Sequence, residues 1–324
     1  MCTSLCYRKQ DLYFGRNLDL EFSYNEQVVI TPRNFRFDLR NGQTLRTRYA
    51  MIGMATVMSD YPLYYEASNE KGLCMAGLNF PGVAEYHDPR EGADNIMPFE
   101  FIPWVLGQAQ SLEEVRALLD RINLANIPFA PQVPLAPLHF MIGDQHVSIV
   151  VEPMADGLHI HENPYDVMTN NPPFDYHLWN TRNYRNLSAH NGSNQFSSQY
   201  GLDTYAVGMG AIGLPGDTSS ASRFVRAAFN LTNSYSEDNE AANVSQVFHV
   251  LDSVSFVKGA TFTEDNKLDL TRYSCCINAD KGIFYYKTYD NSQITAICMD
   301  HADLDSPNLT VYDLVTEQQI RFDN

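Results

Sequence analysis

Cys2, directly behind Met1, is the residue whose position carries the most chemistry in this chain. Once the starting methionine is cleaved, the chain begins with a thiol and a free α-amine on adjacent carbons, a nucleophile and its own base in one residue. An ordinary α-amine titrates near ~8 and an ordinary thiol near ~8.5, so little further tuning is needed to generate a reactive sulfur at neutral pH. Gly15-Arg16-Asn17-Leu18-Asp19 follows closely. Read as the return arm of a hairpin, it brings Arg16 and Asp19 back toward the chain start. A guanidinium there favours a thiolate, and a carboxylate orients an amine. Taken alone, the two charges read more readily as an ordinary surface ion pair.

The elements that must position these groups follow from periodicity. Val28 to Thr31, Tyr49 to Val57 and Leu73 to Leu78 carry strand patterns bounded by Gly, Pro or charge. Pro98 opens a helix through Phe99, Ile102, Val105 and Leu106. Ser111 with Glu114 spells a capping box for a second helix, in which Leu112, Val115, Leu118, Leu119 and Ile122 keep helical spacing. Three strand pieces from Leu138 to Thr169, split at Gly143-Asp144 and at Met154 to Gly157, precede helical patterns over Phe174 to Leu187, Ser219 to Asn230 and Ser245 to Val254. Strands return at Ser274 to Asn278, Ile283 to Tyr289 and Gln293 to Met299. Such alternation with hairpin-length connections predicts an α+β protein of layered antiparallel sheets with helices outside them.

Bulk properties exclude several functions. The 324 residues carry a formal net charge of −17 with only 22 scattered Lys and Arg, which argues against a nucleic-acid partner. The start has no basic segment followed by an apolar one, and no apolar run reaches about 18 residues, so a cytoplasmic protein without a membrane segment is expected. Cys6, Cys74, Cys275, Cys276 and Cys298 lack metal or redox spacing and read as reduced structural residues. His159 and His161 share a strand face, but with no carboxylate or Cys at a convincing spacing they read as an exposed face rather than a metal site. Gly208 to Gly213 matches a dinucleotide fingerprint by letters. The poor strand before it and Pro215-Gly216 after it favour a Gly-rich excursion or a subunit contact instead.

Motifs along the whole chain resemble the choloylglycine hydrolase family, the bile salt hydrolases and penicillin V acylases of the N-terminal nucleophile superfamily. They run from Met1-Cys2-Thr3 through Phe14-Gly15-Arg16-Asn17-Leu18-Asp19, Pro32-Arg33-Asn34-Phe35, Asn69-Glu70-Lys71-Gly72-Leu73 and Ala76-Gly77-Leu78-Asn79-Phe80. Leu138-His139, Thr169-Asn170-Asn171-Pro172, Gly213-Leu214-Pro215-Gly216-Asp217, Ser222-Arg223-Phe224 and Tyr286-Lys287-Thr288-Tyr289 complete the series. The resemblance implies one domain over residues 1–324 with a four-layer αββα fold, in which Cys2 attacks a linear amide and forms a thioester without metal or organic cofactor. It further implies Arg16 and Asp19 beside the nucleophile, Arg223 as a second site arginine, and Asn170 and Asn79 as oxyanion donors, the former through its side chain and the latter largely through its backbone N–H. An apolar acyl group needs an aromatic wall, for which Leu18, Phe22, Tyr24, Tyr61, Tyr65, Phe129 and Val133 are the candidates, each equally able to be core. Asn rather than Tyr at position 79 goes, within the family, with glycine- or taurine-conjugated bile salts rather than penicillin V. Relatives of this kind commonly form homotetramers, with residues 186–216 a candidate contact.

Overall fold

The computed structural model describes all 324 residues, Met1–Asn324. Two antiparallel sheets lie face to face. The first has six strands in the order Val167–Met168, Cys2–Arg8, Leu12–Leu20, Leu270–Asn278, Ile283–Thr288 and Asn291–Cys298. The second has eight, in the order Gly157–Glu162, Ser148–Met154, Leu138–Gly143, Cys74–Asn79, Tyr61–Asn69, Met51–Met58, Gln27–Thr31 and Thr310–Asp313. One apolar cluster joins both sheets to helices Ser220–Thr232 and Glu240–Asp252. A second packs the far face of the eight-stranded sheet against helices Pro98–Leu106 and Leu112–Leu119. The layer order is helix, sheet, sheet, helix, the αββα arrangement that the resemblance implies. No helix is long and apolar enough to cross a membrane.

The strand carrying Arg16 is buried on both faces, from Leu12 to Asp19. Gly15 shows why a side chain is missing there: a Cβ would stand 2.9 Å from Val247 of helix Glu240–Asp252, so the helix rests directly on the backbone. Side chains alternate along strands. With Gly15 turned to the helix, its neighbour Arg16 turns into the space between the sheets. The hairpin register sets Cys2 opposite Leu18 and Ser4 opposite Arg16, which puts the thiol and the guanidinium on the same face.

Sequence periodicity locates most elements, and the departures have physical reasons. Ser111 Oγ accepts from Glu114 N–H at 3.4 Å, but the Glu114 carboxylate reaches Gln110 N rather than Ser111, so only half of the expected capping box forms. Ile122 leaves the helix and pairs in a short parallel strand with Asp94. The last long helix starts at Glu240 rather than Ser245, because the Asn239 side chain caps it by accepting from Ala242 N–H at 2.9 Å. Strands Tyr61–Asn69 and Thr310–Asp313 lie outside the segments that the sequence pattern marks as strands. Gly208 to Gly213 forms no strand or α-helix. Gly208 and Gly213 take positive φ (82° and 97°) around a single 3₁₀ turn.

A β-bulge interrupts the pairing of Met51–Met58 with Tyr61–Asn69 between Met54 and Ala55, where Met54 faces Glu66 and Ala55 faces Tyr64. The extra residue, Tyr65, reverses the alternation, so Tyr64 joins the helix-side core while Glu66 points to the first sheet. Gly53 makes the close approach possible: a Cβ there would lie 2.1 Å from Glu66 O. That contact is backbone and cannot swing aside. Gly53→Ala is therefore expected to destabilise the protein by about 1–3 kcal/mol through forced strand displacement, read as a lower urea midpoint. An unchanged midpoint would show that the bulge relaxes freely.

Candidate active site

Cys2 is the first strand residue and is only 2% exposed. Its Sγ accepts from Arg16 Nη2 at 3.3 Å. The same Nη2 donates to Gly77 O at 3.0 Å, and Arg16 Nη1 is paired with Glu66 Oε2 at 2.5 Å. Glu66 in turn accepts from Tyr273 OH at 2.9 and 3.0 Å and from the Cys275 thiol at 3.4 Å. Burial pushes the Glu66 carboxyl up from its ordinary range while Arg16 pulls it back. Burial opposes the Arg16 charge too, but the neighbouring Cys2, Tyr273 and Glu66 outweigh this and raise its pKa.

The opposite face of the strand is served by a second arginine. Arg223, on helix Ser220–Thr232, donates from Nη1 to Cys2 O (2.5 Å) and Thr3 Oγ1 (2.7 Å), from Nη2 to Asn170 Oδ1 (2.8 Å), and from Nε to Thr218 O (3.0 Å). Complete burial lowers its pKa, opposed by the Asp19 carboxylate. Asp19 is also wholly buried. Burial raises its pKa while Arg223 lowers it, Thr271 Oγ1 donates to Oδ1 at 2.6 Å, and Oδ2 has no partner.

Asn170 completes the group. Its Oδ1 accepts from Cys2 N–H at 2.8 Å, and its Nδ2 donates to Asn79 O at 2.7 Å. An amide nitrogen carries two hydrogens, so one remains for another acceptor. Cys2 N is a peptide nitrogen here because Met1 is attached. The Met1 ammonium donates to Asp19 O at 2.6 Å and lies 3.8 Å from Asp269. Chemically the arrangement offers a thiol beside a fixed cation, a nitrogen held by an amide oxygen, and a spare N–H on the same Asn170 carboxamide.

The apolar candidates fall into two groups. Leu18 stands opposite Cys2 in the hairpin. Tyr65 lies under the Arg16 guanidinium, 5.8 Å from ring centroid to Cζ, and its OH meets Thr56 Oγ1, which also donates to Tyr24 O. The exposed rings of Phe22 and Tyr24 meet edge to face at 4.6 Å. Tyr61 and Phe129 form a separate aromatic set with Phe37 and Phe99, packed against the helix-side core, with Arg40 over the Phe129 ring. Val133 is half-buried in the same loop as Phe129 and bonds to Ala130. A cleft of about 380 Å³ among His87, Asn123, Pro153 and Leu158 lies elsewhere and includes none of these candidates.

Sequence reasoning missed Glu66, Tyr273 and Thr271. A lone carboxylate in the apolar run Tyr64-Tyr65-Glu66-Ala67 was the available signal. The reading of His161 as part of an exposed face is corrected: its side chain is 14% exposed and lies between Glu152 (3.4 Å) and Asp175 (3.3 Å). The sequence spacing hid these carboxylates because one is on the paired strand and the other on the following helix. Cys6, Cys74, Cys275 and Cys276 are free and buried, and burial raises each thiol pKa, Cys74 to about 12. Cys298, Asp300 and His301 bring one potential ligand atom each within 4.8 Å of one another on the surface, apart from this site.

Comparison with known proteins agrees with this geometry. A family model described as linear amide C–N hydrolases, choloylglycine hydrolase family, matches residues 2–312. The chain is 50% identical over 319 residues to a bile salt hydrolase/transferase of Lactiplantibacillus plantarum, with 98% of each chain covered. It is 40% identical to a bile salt hydrolase/transferase of Bifidobacterium longum, covering 95% of this chain and 98% of the other. The structure superposes on conjugated bile acid hydrolase from Clostridium perfringens with a TM-score of 0.93 at 38% identity over the full length of both chains. Penicillin V acylase from Agrobacterium tumefaciens shares the fold, with a TM-score of 0.77 at 22% identity, covering 97% of this chain and 92% of that one. The chain therefore belongs to the choloylglycine hydrolase family of linear amide C–N hydrolases.

Proposed function

We propose that the protein hydrolyses the amide bond of glycine- or taurine-conjugated bile salts, with Cys2 as nucleophile once Met1 has been removed. The observation that carries this reading is the convergence on Cys2 of Arg16 at its sulfur, Arg223 at its carbonyl and Asn170 at its nitrogen, from three distant parts of the chain. In the shortened chain the Cys2 nitrogen is a primary amine, held by Asn170 Oδ1, and it takes the thiol proton. Arg16 stabilises the sulfur charge at 3.3 Å. The thiolate adds to the substrate carbonyl carbon. The resulting oxyanion is received by the second Nδ2 hydrogen of Asn170 and the N–H of Asn79, each such donor being worth roughly 3–4 kcal/mol in other hydrolases.

As the C–N bond breaks, the Cys2 ammonium returns its proton to the leaving amine, and a thioester remains. Water, deprotonated by the same amine, adds to the thioester; the S–C bond then breaks and the acid leaves. The relatives' names also include transferase, and a thioester is open to an amine as well as to water. The steroid fits against Leu18, Phe22, Tyr24 and Tyr65. Phe22 and Tyr24 are 42% and 48% exposed, apolar area that a ligand would cover. Assembly as a cytoplasmic homotetramer belongs to the same reading. It is supported by the segment 186–216, where Phe196, Tyr205 and Val207 are each more than 80% exposed.

Cys2→Ala is expected to abolish release of taurine from taurocholate without changing the urea midpoint, and Cys2→Ser to turn over far more slowly, because a hydroxyl is much harder to deprotonate. Turnover by Cys2→Ala at the parent rate, or active protein whose intact mass still includes Met1, refutes the assignment. Faster release of 6-aminopenicillanic acid from penicillin V than of taurine would move the substrate to the family's other branch. Glu66→Gln leaves Arg16 a buried cation without a counter-charge. Its kcat should fall at least tenfold, together with the rate of Cys2 alkylation by iodoacetamide; unchanged alkylation would remove Glu66 from the thiol's activation.

A further inference from the structure

Asn170 is held at more points than its side chain accounts for. Its N–H donates to Ser220 Oγ at 2.9 Å, and its C=O accepts from His177 Nε2 at 2.9 Å. One residue earlier, Thr169 O accepts from His139 Nε2 at 2.8 Å. Both imidazoles are buried and each stacks on an aromatic ring, His139 on Phe80 at 4.3 Å and His177 on Phe224 at 4.8 Å. A carbonyl oxygen only accepts, so each Nε2 carries its hydrogen toward the segment that bears Asn170.

Glu152 braces His139 from behind. Its Oε1 is 3.1 Å from His139 Nδ1, both oxygens accept from Phe174 N–H at 3.0 and 3.1 Å, and Oε2 is 3.4 Å from His161. Burial alone would raise its pKa; the hydrogen bonds from His139 and His161 prevail and hold it at about 2. Burial pushes His177 down to about 4, so its ring is neutral with a single N–H, which is committed to Asn170 O.

We propose that His177 and His139, the latter braced by Glu152, are positioning residues for Asn170. They fix the two peptide planes on either side of its Cα, so that the carboxamide stands with one hydrogen on Asn79 O and the other aimed where the oxyanion develops. This rests on the reading of Asn170 as an oxyanion donor. Donor placement matters at the scale of tenths of an ångström, and a donor on an unbraced turn loses its advantage in the transition state before it loses substrate binding.

The test uses the full chain after Met1 removal, with taurocholate as substrate. His177→Phe keeps the stack on Phe224 and deletes the donor; kcat is expected to fall ten- to hundredfold with KM changed less than threefold. His177→Gln, whose Nε2 can occupy the same place, should recover most of that loss. In an Asn170→Ala background His177→Phe should cost little more, since both act through one group. His177→Met serves as the second apolar variant if the Phe protein does not fold, with the same expected loss. Parent kcat in a folded Phe or Met variant, no recovery by Gln, or additive losses with Asn170→Ala would each overturn the inference. Parent activity in Asn170→Ala alone would instead remove the oxyanion assignment beneath it.

Discussion

Two guanidinium groups stripped of water, one on each side of the first strand, are the constraint from which the remaining geometry follows. Arg16 and Arg223 are 1% and 0% exposed. Removing such an ion from water costs several kcal/mol even after relaxation, so each must be met by oxygens that do not move. Arg16 has Glu66 and Gly77 O; Arg223 has Cys2 O, Thr3 Oγ1, Asn170 Oδ1 and Thr218 O. A shift of the first strand by one residue would take Cys2 O and Thr3 Oγ1 from Arg223 and the Cys2 sulfur from Arg16. The chain start is thereby fixed in register by electrostatics as well as by the backbone ladder.

The two cations act on different atoms of the same residue because strand side chains alternate. Arg16 and Leu18 share the face that Cys2 presents between the sheets, whereas Thr3 and Asn17 face the helices, with Thr3 on Arg223 and Asn17 Nδ2 bonded to Leu251 O. Gly15 allows this division. Helix Glu240–Asp252 rests on it, and the helix bearing Arg223 packs beside that one. Asp19, at the end of the same strand, is pulled upward in pKa by burial and downward by Arg223, and it stays poised beside the chain start.

How much of this the sequence discloses depends on whether a residue's partner is near in the chain. The hairpin that pairs Cys2 with Leu18 is legible from Gly15 to Asp19, and the strands and helices with clean periodicity emerge within a few residues of their ends. Glu66 is not legible as an Arg16 partner, because its face is decided by a bulge, and nothing in Tyr61 to Asn69 announces an inserted residue. His161 was misread for a related reason: its carboxylates come from a neighbouring strand and from the helix that follows Pro173. Ile122 keeps helical spacing yet leaves the helix, since pairing with Asp94 replaces the hydrogen bonds that the helix end would leave open. The roles of Asn79, Asn170 and Arg223 came from resemblance. Spacing alone offers no route to three residues more than 50 positions apart.

The reacting groups are interior and mutually locked, while Phe22 and Tyr24 stand on an exposed turn between Leu20 and Gln27 whose backbone serves no sheet. Substitution at the interior positions disturbs buried charge and is paid in folding, whereas substitution on the turn alters a half-wet aromatic surface at little thermodynamic expense. Evolvability is therefore unevenly distributed in this protein. On the proposed reading of the site, drift in acyl preference accumulates by neutral steps at Phe22 and Tyr24 and leaves Cys2 and its partners untouched.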